Sequence, residues 1–385
     1  MNALAQFFTP DIVTRHIIRG VSTVSPKKML DLGVGRGCLL YAAHRRWPRT
    51  HLMGVDVDIN NVHSTRYRLP MADLIHADAL RYDLPNLLGI EIGSIDLAVG
   101  NPPYGRFQAR LEHKRILAEA NLADTVPIKR ITREVVFLAQ NLRLLCHGGE
   151  LVVILPEGVG TNQMNADLRR ALILNHGLWR VLELPPRLFQ GTEAKTLAFF
   201  LKKGKSSRAV RLDRWDDSRH IIVSPADAAR RLDASFHLAS NKGVKITLSE
   251  LSPEIKRGIL TNKEAVKLGV RIFHTTDFKR YPDGQADFPL MPGLPSRWLA
   301  EGGDILIPRV GSRCLAHTLS IKTGQTIFTD CVYRIRVESE YHEPLFRYFR
   351  SNEGIAQRHA FAHGVCAQVL SKVDLLQLAL PSPPF

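Results

Sequence analysis

The sequence predicts an α/β fold with a doubly wound sheet, followed by a smaller α+β domain. Over residues 7–204, short apolar runs typical of buried strands alternate with amphipathic helical segments, which favours a mostly parallel sheet covered by helices. A glycine-rich turn joins the first strand to the next helix. Polar side chains stand at the ends of successive strands, where ligands bind in open α/β sheets: Asp31, Asp56, Asp78 and Asn101.

The composition favours a polyanionic partner. Lysine and arginine outnumber aspartate and glutamate 52 to 37 in the 385-residue chain, a formal net charge of +15. This balance favours nucleic acid over a membrane, although charge also serves solubility. No apolar run reaches the length of a membrane span, and the N-terminus lacks the features of a signal peptide. The five cysteines are scattered without metal-ligand spacing, so we expect no metal and a reduced, cytoplasmic location.

The first predicted helix begins after Phe7-Phe8. Thr9 has the side chain of an N-cap, Pro10 suits the first helical position, and Asp11 favours the helix dipole. Apolar residues then recur at helical spacing from Ile12 to Ile18. A structural cap is sufficient to explain this pattern.

The first strand ends in the turn Asp31-Leu32-Gly33-Val34-Gly35-Arg36-Gly37. Glycines at alternate positions let the backbone turn tightly and approach a ligand closely. Dinucleotide-binding enzymes also carry such glycines, so the turn alone does not identify the ligand. Asp31 is the discriminating residue, because a carboxylate there would pair with an ammonium and repel a pyrophosphate. S-adenosylmethionine (AdoMet) carries an amino-acid ammonium, whereas NAD carries two phosphates.

The next two strands also end in aspartate. Asp56 follows the second strand, where a carboxylate can bind both ribose hydroxyls of a cofactor, and Asp58 is placed to cap the next helix. Asp78 ends the short third strand, and at this position, beside Ala79, its carboxylate could take the adenine amine of AdoMet. Each aspartate alone could be a helix cap, but capping does not readily explain polar side chains at four successive strand ends.

The fourth strand, residues 95–100, runs into Asn101-Pro102-Pro103-Tyr104. The prolines end the strand and hold Asn101 extended at its carboxyl end. The Asn101 side-chain oxygen and the Pro102 carbonyl are neighbouring acceptors, and Tyr104 offers a flat face. This arrangement suits a planar NH2 group, on a nucleobase or a glutamine amide, whose nitrogen gains positive charge as it attacks a methyl group. The alternative is a Pro-Pro turn with a capping asparagine.

The tetrad after an apolar strand resembles that of adenine-N6 DNA methyltransferases, and also that of protein glutamine-N5 and some RNA base methyltransferases. The glycine turn resembles the AdoMet loop of Rossmann-like methyltransferases. The resemblance implies that the segment around Thr9 closes over the cofactor and that Phe137 lies over the cofactor adenine, although Phe137 equally suits the core. It also implies that an aromatic in the strand before Lys202-Lys203 stacks on a flipped base, with Phe200 the best match and Phe199 the fallback.

Basic residues follow the tetrad in a long stretch that we expect to be a mobile loop beside the active site. A solvated helical face explains the same charges. The candidates for contacts to DNA in the first domain are Arg106, Arg110, Lys202 and Lys203.

The chain changes character in its last third, where turns and short strands predominate. We expect a catalytic domain, a connecting segment without clear periodicity and a second domain: residues 1–204, 205–244 and 245–385. Gly-Asp-Ile-Leu-Ile at 303–307 and the terminal Leu-Pro-Ser-Pro-Pro resemble parts of one target-recognition domain of type I restriction specificity subunits. This looser resemblance implies that the second domain binds duplex DNA, with Arg309 and Arg313 as candidate contacts.

The order of cofactor segment, glycine turn, tetrad and recognition domain resembles gamma-class adenine-N6 DNA methyltransferases of restriction–modification systems. The resemblance implies AdoMet as donor, a flipped adenine of duplex DNA as acceptor, and a cognate nuclease or other defence subunit as partner, with the chain acting as monomer or dimer. Leu32 and Val34 depart from the Ala or Pro that this family often carries around the turn. Because the recognition domain is single and lies downstream, we expect a target that is non-palindromic or methylated by this chain on one strand only.

Two alternatives from other classes remain. One is a protein glutamine or ribosomal RNA methyltransferase that uses the same tetrad. The other is a DNA-binding specificity subunit whose methyltransferase fold is inert. The presence of Asp31, Asp56, Asn101 and Tyr104 argues against an inert fold.

Overall fold

The chain divides into two compact units, Met1–Ala234 and Ser235–Phe385. In the described part, no helix is both long and apolar enough to cross a membrane. The predicted Phe7-Phe8 segment and Cys366 lie outside the described residues. The computed structural model describes residues 9–185, 188–189, 195–240, 246–267, 269, 272–295, 298–311, 313–364 and 367–381.

Among the described residues of the first unit, nine strands form one sheet. They are β1 Lys28–Leu32, β2 His51–Asp56, β3 Asp73–His76, β4 Ile95–Gly100, β5 Leu145–Pro156, β6 Arg180–Leu184, β7 Thr196–Lys202, β8 Val210–Arg214 and β9 Asp217–Val223. Their order across the sheet is β3-β2-β1-β4-β5-β7-β6-β8-β9. Strands β3, β2, β1, β4 and β5 are parallel to one another, whereas β7 runs antiparallel to both β5 and β6. The predicted doubly wound α/β fold is confirmed.

Helices alternate with these strands as the sequence predicts. Asp58 caps α3 through its side chain, which accepts a hydrogen bond from the Asn60 N–H at 2.9 Å, and this prediction is confirmed. The helices are α1 Asp11–Gly20, α2 Cys38–Arg46, α3 Ile59–Arg68, α4 Leu84–Leu88, α5 Leu111–Glu119, α6 Arg133–Leu144, α7 Glu157–Thr161, α8 Ala166–Asn175 and α9 Pro225–Arg230.

The strand order reverses between β1 and β4. From β1 the chain proceeds outward through β2 and β3, and β4 then lies on the other side of β1. The two strands pair in parallel, with Asp31 opposite Val99. Ligands in such sheets bind outside the carboxyl ends of the strands at this reversal, which is where Asp31 and Asn101 lie.

The turn after β1 has a backbone that only glycine adopts easily. Gly33, Gly35 and Gly37 have φ values of 79°, 53° and 71°, in the left-handed region. At Gly37, a Cβ atom would lie 2.5 Å from Cγ2 of Thr65. The Gly33 N–H donates to the Val55 carbonyl at 2.8 Å, which holds the turn against the end of β2.

The segment expected to be a connection, residues 205–244, instead extends the sheet. Strand β8 pairs in parallel with β6, and it buries Val210 and Leu212 while exposing Arg211. Strand β9 pairs with β8 at the edge of the sheet and is mostly exposed. An exposed edge strand of polar residues carries little apolar periodicity, which explains why the sequence did not show it.

Glu150, in β5, anchors the segment between α1 and β1. Its buried carboxylate accepts hydrogen bonds of 2.7–3.1 Å from the backbone N–H groups and hydroxyls of Ser22 and Thr23. At this point β5 pairs with β4 on one side and β7 on the other. The contact therefore ties the connection before β1 to the middle of the sheet.

Replacing Glu150 with glutamine should destabilise the folded protein by about 1–2 kcal/mol, because an amide NH2 would face donors that the carboxylate satisfies. Denaturant unfolding followed by circular dichroism measures the loss. The matched control is Glu91→Gln, at an exposed position, where we expect a change below about 0.5 kcal/mol. Equal effects of the two substitutions would contradict the anchoring role.

The second unit has the predicted α+β character. Among its described residues, five strands form a sheet in the order β11-β17-β14-β15-β12, and β10 pairs with β18 and β13 with β16. The strands are β10 Ile246–Thr247, β11 Glu254–Arg257, β12 Gln285–Asp287, β13 Leu299–Glu301, β14 Ile305–Pro308, β15 Leu319–Thr323, β16 Gln325–Ile327, β17 Val332–Arg336 and β18 Ala379–Leu380. The helices are α10 Ala234–Ser240, α11 Asn262–Lys267, α12 Ser339–Arg350, α13 Asn352–Phe361 and α14 Lys372–Leu376.

The core of this unit forms where α12 and α13 pack on the sheet. Phe349 and Phe361 are buried with Ile305 of β14 and Ile335 of β17 in one apolar cluster. Arg358 is fully buried beside them, and its guanidinium donates to backbone carbonyls, including that of His317 at 2.9 Å. Helix α12 buries an apolar face, which comprises Leu345, Phe346, Tyr348 and Phe349.

Candidate active site

A cavity of about 390 Å³ lies at the carboxyl ends of β1 to β4. A smaller cavity of about 30 Å³ shares Gly33, Gly35 and Asn101 with it and is also lined by Thr9 and Asp31. The structure therefore brings most of the predicted cofactor-binding residues to one end of the sheet. The predicted site residues that line the large cavity are Gly33, Gly35, Asp56, Asp78, Ala79, Asn101, Pro103, Arg110 and Phe137.

Asp31 is a buried carboxylate that lacks a counter-charge. Its side chain is 1% exposed, and within the described part of the chain its Oδ1 atom has no hydrogen-bond partner. Burial raises the pKa of Asp31 well above its ordinary value, and the nearby charge of Asp56 adds to the shift. A buried acceptor without a partner calls for an explanation, and a cationic ligand group in the adjoining cavity would supply one.

Asp56 is held rigidly at the end of β2. One carboxylate oxygen accepts from the Gly35 N–H at 2.7 Å, and the other accepts from the Asp58 N–H at 2.9 Å. Each oxygen has a second acceptor site, and Asp56 lines the large cavity. The arrangement presents fixed acceptors to a ligand that carries hydroxyl groups.

Asp78, Ala79 and Phe137 also line the large cavity. The Asp78 carboxylate accepts from the Leu80 N–H at 2.9 Å. Gln140 of α6 donates to the Ala79 carbonyl at 3.0 Å, which fixes the chain after β3 against α6. This leaves carboxylate acceptors and an aromatic ring in the wall, a combination that suits a purine.

The tetrad leaves β4 as the prolines predict, and its polar groups contact one another. The Tyr104 hydroxyl donates to Oδ1 of Asn101 at 2.8 Å and lies 3.3 Å from the Ile154 carbonyl. The Asn101 amide nitrogen donates to Oγ1 of Thr9 at 3.3 Å. Burial raises the pKa of the Tyr104 phenol, with a further contribution from Glu134, so the phenol stays protonated at neutral pH.

Glu134 supports the chain that follows the tetrad, a role that the sequence analysis missed. Its buried carboxylate accepts from the Gly105 N–H at 2.9 Å, and burial raises its pKa. An acidic residue in the first turn of α6 is also what the helix dipole favours. Because an acidic residue is common at this helix position, the sequence does not distinguish a glutamate that supports the tetrad from one that only favours the helix dipole.

The basic stretch after the tetrad forms a wall of the large cavity. Phe107 and His113 both line it, with their ring centroids 5.0 Å apart. His113 accepts from the Arg110 N–H at 2.8 Å, and burial lowers its pKa, so the imidazole is largely neutral at pH 7. Arg110 lines the cavity, whereas Arg106 is exposed and forms a backbone bridge with Thr132.

Thr9 does not cap α1, contrary to the sequence expectation. The helix begins at Asp11, its N-cap is Pro10, and no side chain caps it. The helix starts one residue later than predicted because the Pro10 carbonyl, which accepts from the Thr14 N–H at 3.0 Å, begins its hydrogen-bond ladder. Thr9 lies instead in the wall of the small cavity, beside Asn101.

Phe200, expected to stack on the acceptor, lies in the core. It is 0% exposed, and its ring meets that of Trp179 edge to face at 5.6 Å. Strand pairing aligns Phe200 with Val152 and Val152 with Val99, two residues before Asn101. The fallback, Phe199, is equally buried. Since β7 runs antiparallel to β5, its amino end and not its carboxyl end lies level with the tetrad.

The carboxyl end of β6 and the amino end of β7 therefore lie at the edge where Asn101 stands. Leu184 pairs with Thr196, and Thr196 pairs with Pro156 beyond Ile154. Of this loop, residues 185, 188, 189 and 195 are described. The direction of β7, set by tertiary pairing, is the missing information in the sequence analysis.

Replacing Phe200 with leucine should lower stability by about 1–2 kcal/mol through a buried cavity, and it should leave acceptor binding unchanged. Unfolding experiments measure the first effect, and fluorescence of 2-aminopurine at the target position of DNA measures the second. If Phe200→Leu lost base flipping and kept its stability, Phe200 would stack on the flipped base after all.

The two lysines predicted to contact DNA after Phe200 lie away from the tetrad. Lys202 ends β7 and pairs with Glu150, at the opposite end of the parallel strands from Asn101, and Lys203 follows it. Lys203 is occupied within the fold, because its ammonium donates to the Leu145 carbonyl at 2.6 Å. Burial lowers its pKa.

The two arginines predicted to bind DNA in the second unit differ. Arg309 is mostly buried, donates to the Asp330 carbonyl at 2.8 Å and lies 3.9 Å from the Asp330 carboxylate. Arg313 is exposed. Arg309 is therefore part of the fold, and Arg313 is accessible to a partner.

The family model described as N-6 DNA Methylase matches residues 2–221, more than half of the chain. The chain belongs to this family. This confirms the predicted likeness to N6 DNA methyltransferases at the level of the family, whose cofactor is AdoMet. The structure fits that cofactor, since Asp31 lacks a partner for its Oδ1 atom beside a glycine turn that admits a close ligand.

Three proteins illustrate what this methylase is similar to. The type IIG restriction endonuclease BpuSI has a TM-score of 0.52 and 14% identity, over 97% of this chain and 57% of that one. A modification subunit of a putative type I restriction enzyme from Vibrio vulnificus YJ016 has a TM-score of 0.47 and 16% identity, over 57% and 49%. The ribosomal RNA small subunit methyltransferase A of Mycoplasmoides gallisepticum is 27% identical over 29% of this chain and 41% of that protein. The chain thus spans 57% or less of each.

Proposed function

We propose that this chain transfers a methyl group from AdoMet to N6 of an adenine flipped out of duplex DNA, in a restriction–modification or related defence system. Membership of the N-6 DNA methylase family supports the reaction. The position of Asn101 carries the proposal, because its amide stands at the carboxyl end of β4 in the wall of both cavities. An adenine amine beside it would face the cofactor pocket.

Residues that line the two cavities would hold the cofactor, and the positions of these residues support the following roles. Asp31 pairs with the ammonium of AdoMet, and Asp56 accepts from the ribose hydroxyls. Asp78 accepts from the adenine amine, next to Ala79, and Phe137 covers the ring. Gly33 and Gly35 let the backbone approach, and Thr9 closes the amino-acid end.

AdoMet supplies an electrophilic methyl group when bound. The N6 lone pair of adenine is delocalised, so the nitrogen gains positive charge only as its bond to the methyl carbon forms and the bond from that carbon to sulfur breaks. The nitrogen then releases one proton to solvent. Oδ1 of Asn101, which accepts from the Tyr104 hydroxyl, would accept an N6 hydrogen, and the Pro102 carbonyl would accept the second. Fixed acceptors favour the transition state over the ground state. Tyr104 and Pro103 contact the base as its ring enters.

Flipping is required because N6 cannot reach the cofactor from within the helix. We propose that the second unit binds the flanking duplex and reads the target sequence. The net charge of +15 supports a DNA partner, and Arg313 is exposed on that unit. In the first unit, Arg106 and Arg110 are the basic side chains nearest the tetrad in sequence.

Replacing Arg313 with alanine should weaken binding to duplex DNA about three- to tenfold and reduce the slope of log affinity against log salt by about 1, as for loss of one phosphate contact. Fluorescence anisotropy across a salt series measures both. Arg347→Ala is the matched control, because Arg347 is an exposed arginine of the same unit that already pairs with Glu343 at 2.7 Å. Equal salt slopes in the two variants would exclude Arg313 from the DNA contact.

Methylome sequencing of cells that express the chain tests the proposal directly. We expect N6-methyladenine at one short sequence, and its loss in an inactive variant. A second candidate is methylation of ribosomal RNA, favoured by the 27% identity to a ribosomal RNA methyltransferase. Purified protein with labelled AdoMet should label duplex DNA, whereas labelling of ribosomal RNA or of a protein glutamine alone would replace the DNA proposal.

A further inference from the structure

The two ends of the Asn101 amide contact different hydroxyl groups. The Tyr104 hydroxyl donates to the oxygen end at 2.8 Å. The nitrogen end donates to Oγ1 of Thr9 at 3.3 Å. Thr9 comes from the segment before α1 and Tyr104 from the chain after β4, so the amide is held between two distant parts of the sequence.

The orientation of this amide decides whether it can serve an amine. The oxygen of an asparagine side chain accepts hydrogen bonds and the nitrogen only donates them, although the two ends have almost the same shape. An adenine N6 group carries two hydrogens and needs acceptors. A half-turn of the amide would place one NH2 group against another, and the transition state would lose an acceptor.

Hydroxyl groups both donate and accept hydrogen bonds, so the Thr9 and Tyr104 hydroxyls alone would tolerate either orientation of the Asn101 amide. A further group must favour one orientation. Asp31 supplies one, because it lines the small cavity together with Thr9 and Asn101. Its Oδ1 atom lies close to the chain before Asn101, 3.7 Å from where a Cβ on Gly100 would stand. A negative carboxylate on this side favours the positive NH2 end of the amide facing Thr9.

Thr9 does not cap α1, the role that its position in the sequence suggests. The helix cap is Pro10, and no side chain caps α1. Thr9 is 9% exposed, and its partly buried contact with Asn101 lies in the wall of the small cavity. Capping therefore does not explain why a hydroxyl stands at this position.

We propose that Thr9 is a positioning residue that, with Tyr104, fixes the Asn101 amide with its oxygen toward the acceptor. The inference rests on the proposed methylation of adenine. Thr9 would then have two roles, closing the cofactor site and orienting the Asn101 amide. Thr9 would thereby set the choice of an amino group over a carbonyl group at the reacting position.

The first test compares Thr9→Val, which keeps the shape and loses the hydroxyl, with Thr9→Ser, which keeps the hydroxyl. At saturating AdoMet and DNA, we expect the single-turnover rate to fall about five- to tenfold in Thr9→Val, as for loss of one buried hydrogen bond. Thr9→Ser should stay within about twofold of wild type. Calorimetric titration with AdoMet gives the cofactor affinity separately, and thermal unfolding confirms that both variants are folded.

The second test changes the acceptor. DNA duplexes carry either adenine or hypoxanthine, whose O6 is an acceptor, at the methylated position found by methylome sequencing. The ratio of the two affinities should fall about fivefold in Thr9→Val, because a released amide can turn and donate to O6. The ratio should not change in Thr9→Ser. If Thr9 served only the stability of the fold, Thr9→Val would change the affinities for both duplexes by the same factor. The free energy needed to unpair the target base differs between the duplexes but is the same for each protein, so it cancels when the ratios are compared.

Two results would contradict the positioning role of Thr9. An unchanged affinity ratio in Thr9→Val overturns the proposal, as does a parental rate at saturating AdoMet combined with weaker cofactor binding, which would leave Thr9 a cofactor contact only. If the wild-type protein methylates no duplex DNA, the proposed function itself fails, and this is established before either variant is compared.

Discussion

Asn101→Ala should methylate DNA about 10²–10³ times more slowly than wild type in single turnover, as for loss of one preorganised electrostatic contact. The substitution removes the side-chain acceptor from N6 and leaves the Pro102 carbonyl alone. Most of the cofactor cavity is formed by other residues, among them Asp56 and Phe137. AdoMet affinity should therefore stay nearly unchanged, which separates a defect in the chemical step from a defect in binding.

Rapid-quench measurement at saturating DNA gives the rate, and calorimetric titration gives the AdoMet affinity. The matched control is Asn86→Ala, which removes an exposed amide from α4 and should leave both values at those of wild type. A parental single-turnover rate in Asn101→Ala would show that the tetrad is not the acceptor site, and the proposed function would fail with it.

Asp31→Asn should weaken AdoMet binding roughly 10- to 100-fold, the effect of losing a charge-assisted hydrogen bond. The same substitution should raise the melting temperature of the ligand-free protein at pH 7. Burial raises the pKa of Asp31 in the folded state above its ordinary value of 3.8. Its contribution to stability is therefore fully present below pH 3.8 and is lost as the pH rises through the folded pKa. Asparagine stays neutral and avoids that loss.

Differential scanning calorimetry from pH 4 to 8 and titration with AdoMet measure the two opposite effects. The control is Asp58→Asn, which changes a carboxylate that caps α3 and lines neither cavity. It should not raise the melting temperature, and it should keep the wild-type AdoMet affinity. If Asp31→Asn bound AdoMet as tightly as wild type, the ammonium would bind elsewhere.

The family match ends at residue 221, within β9, the edge strand of the large sheet. The strands that the sequence analysis placed in a connection are thus matched by the same family model as the cofactor turn. The second unit lies outside this match, although the fold likeness to BpuSI covers 97% of the chain. Its role in DNA recognition therefore rests on the proposed function.

The sequence alone determined the features that depend on neighbouring residues. The apolar runs placed β1, β2 and β4, because a strand buried on both faces is apolar at every position. The glycines specified a left-handed turn that other residues adopt only under strain. Two prolines ended β4 and held Asn101 at the edge, since proline cannot continue a parallel ladder. With parallel strands, these local features were enough to place the acids and the tetrad at one end of the sheet.

Tertiary structure decided what depends on strand direction, on register and on removal from water. Phe200 lies in the core and Lys203 lies beyond the pairing of Lys202 with Glu150 because β7 runs antiparallel to β5. The direction of a strand is set by its partner and not by its own residues. Thr9 meets Asn101 across 92 positions of sequence, a contact that no local pattern encodes. The raised pKa of Asp31 arises from burial by the whole first unit. A carboxylate in the sequence carries a charge, but only the folded surroundings decide what that charge costs and which ligand can offset it.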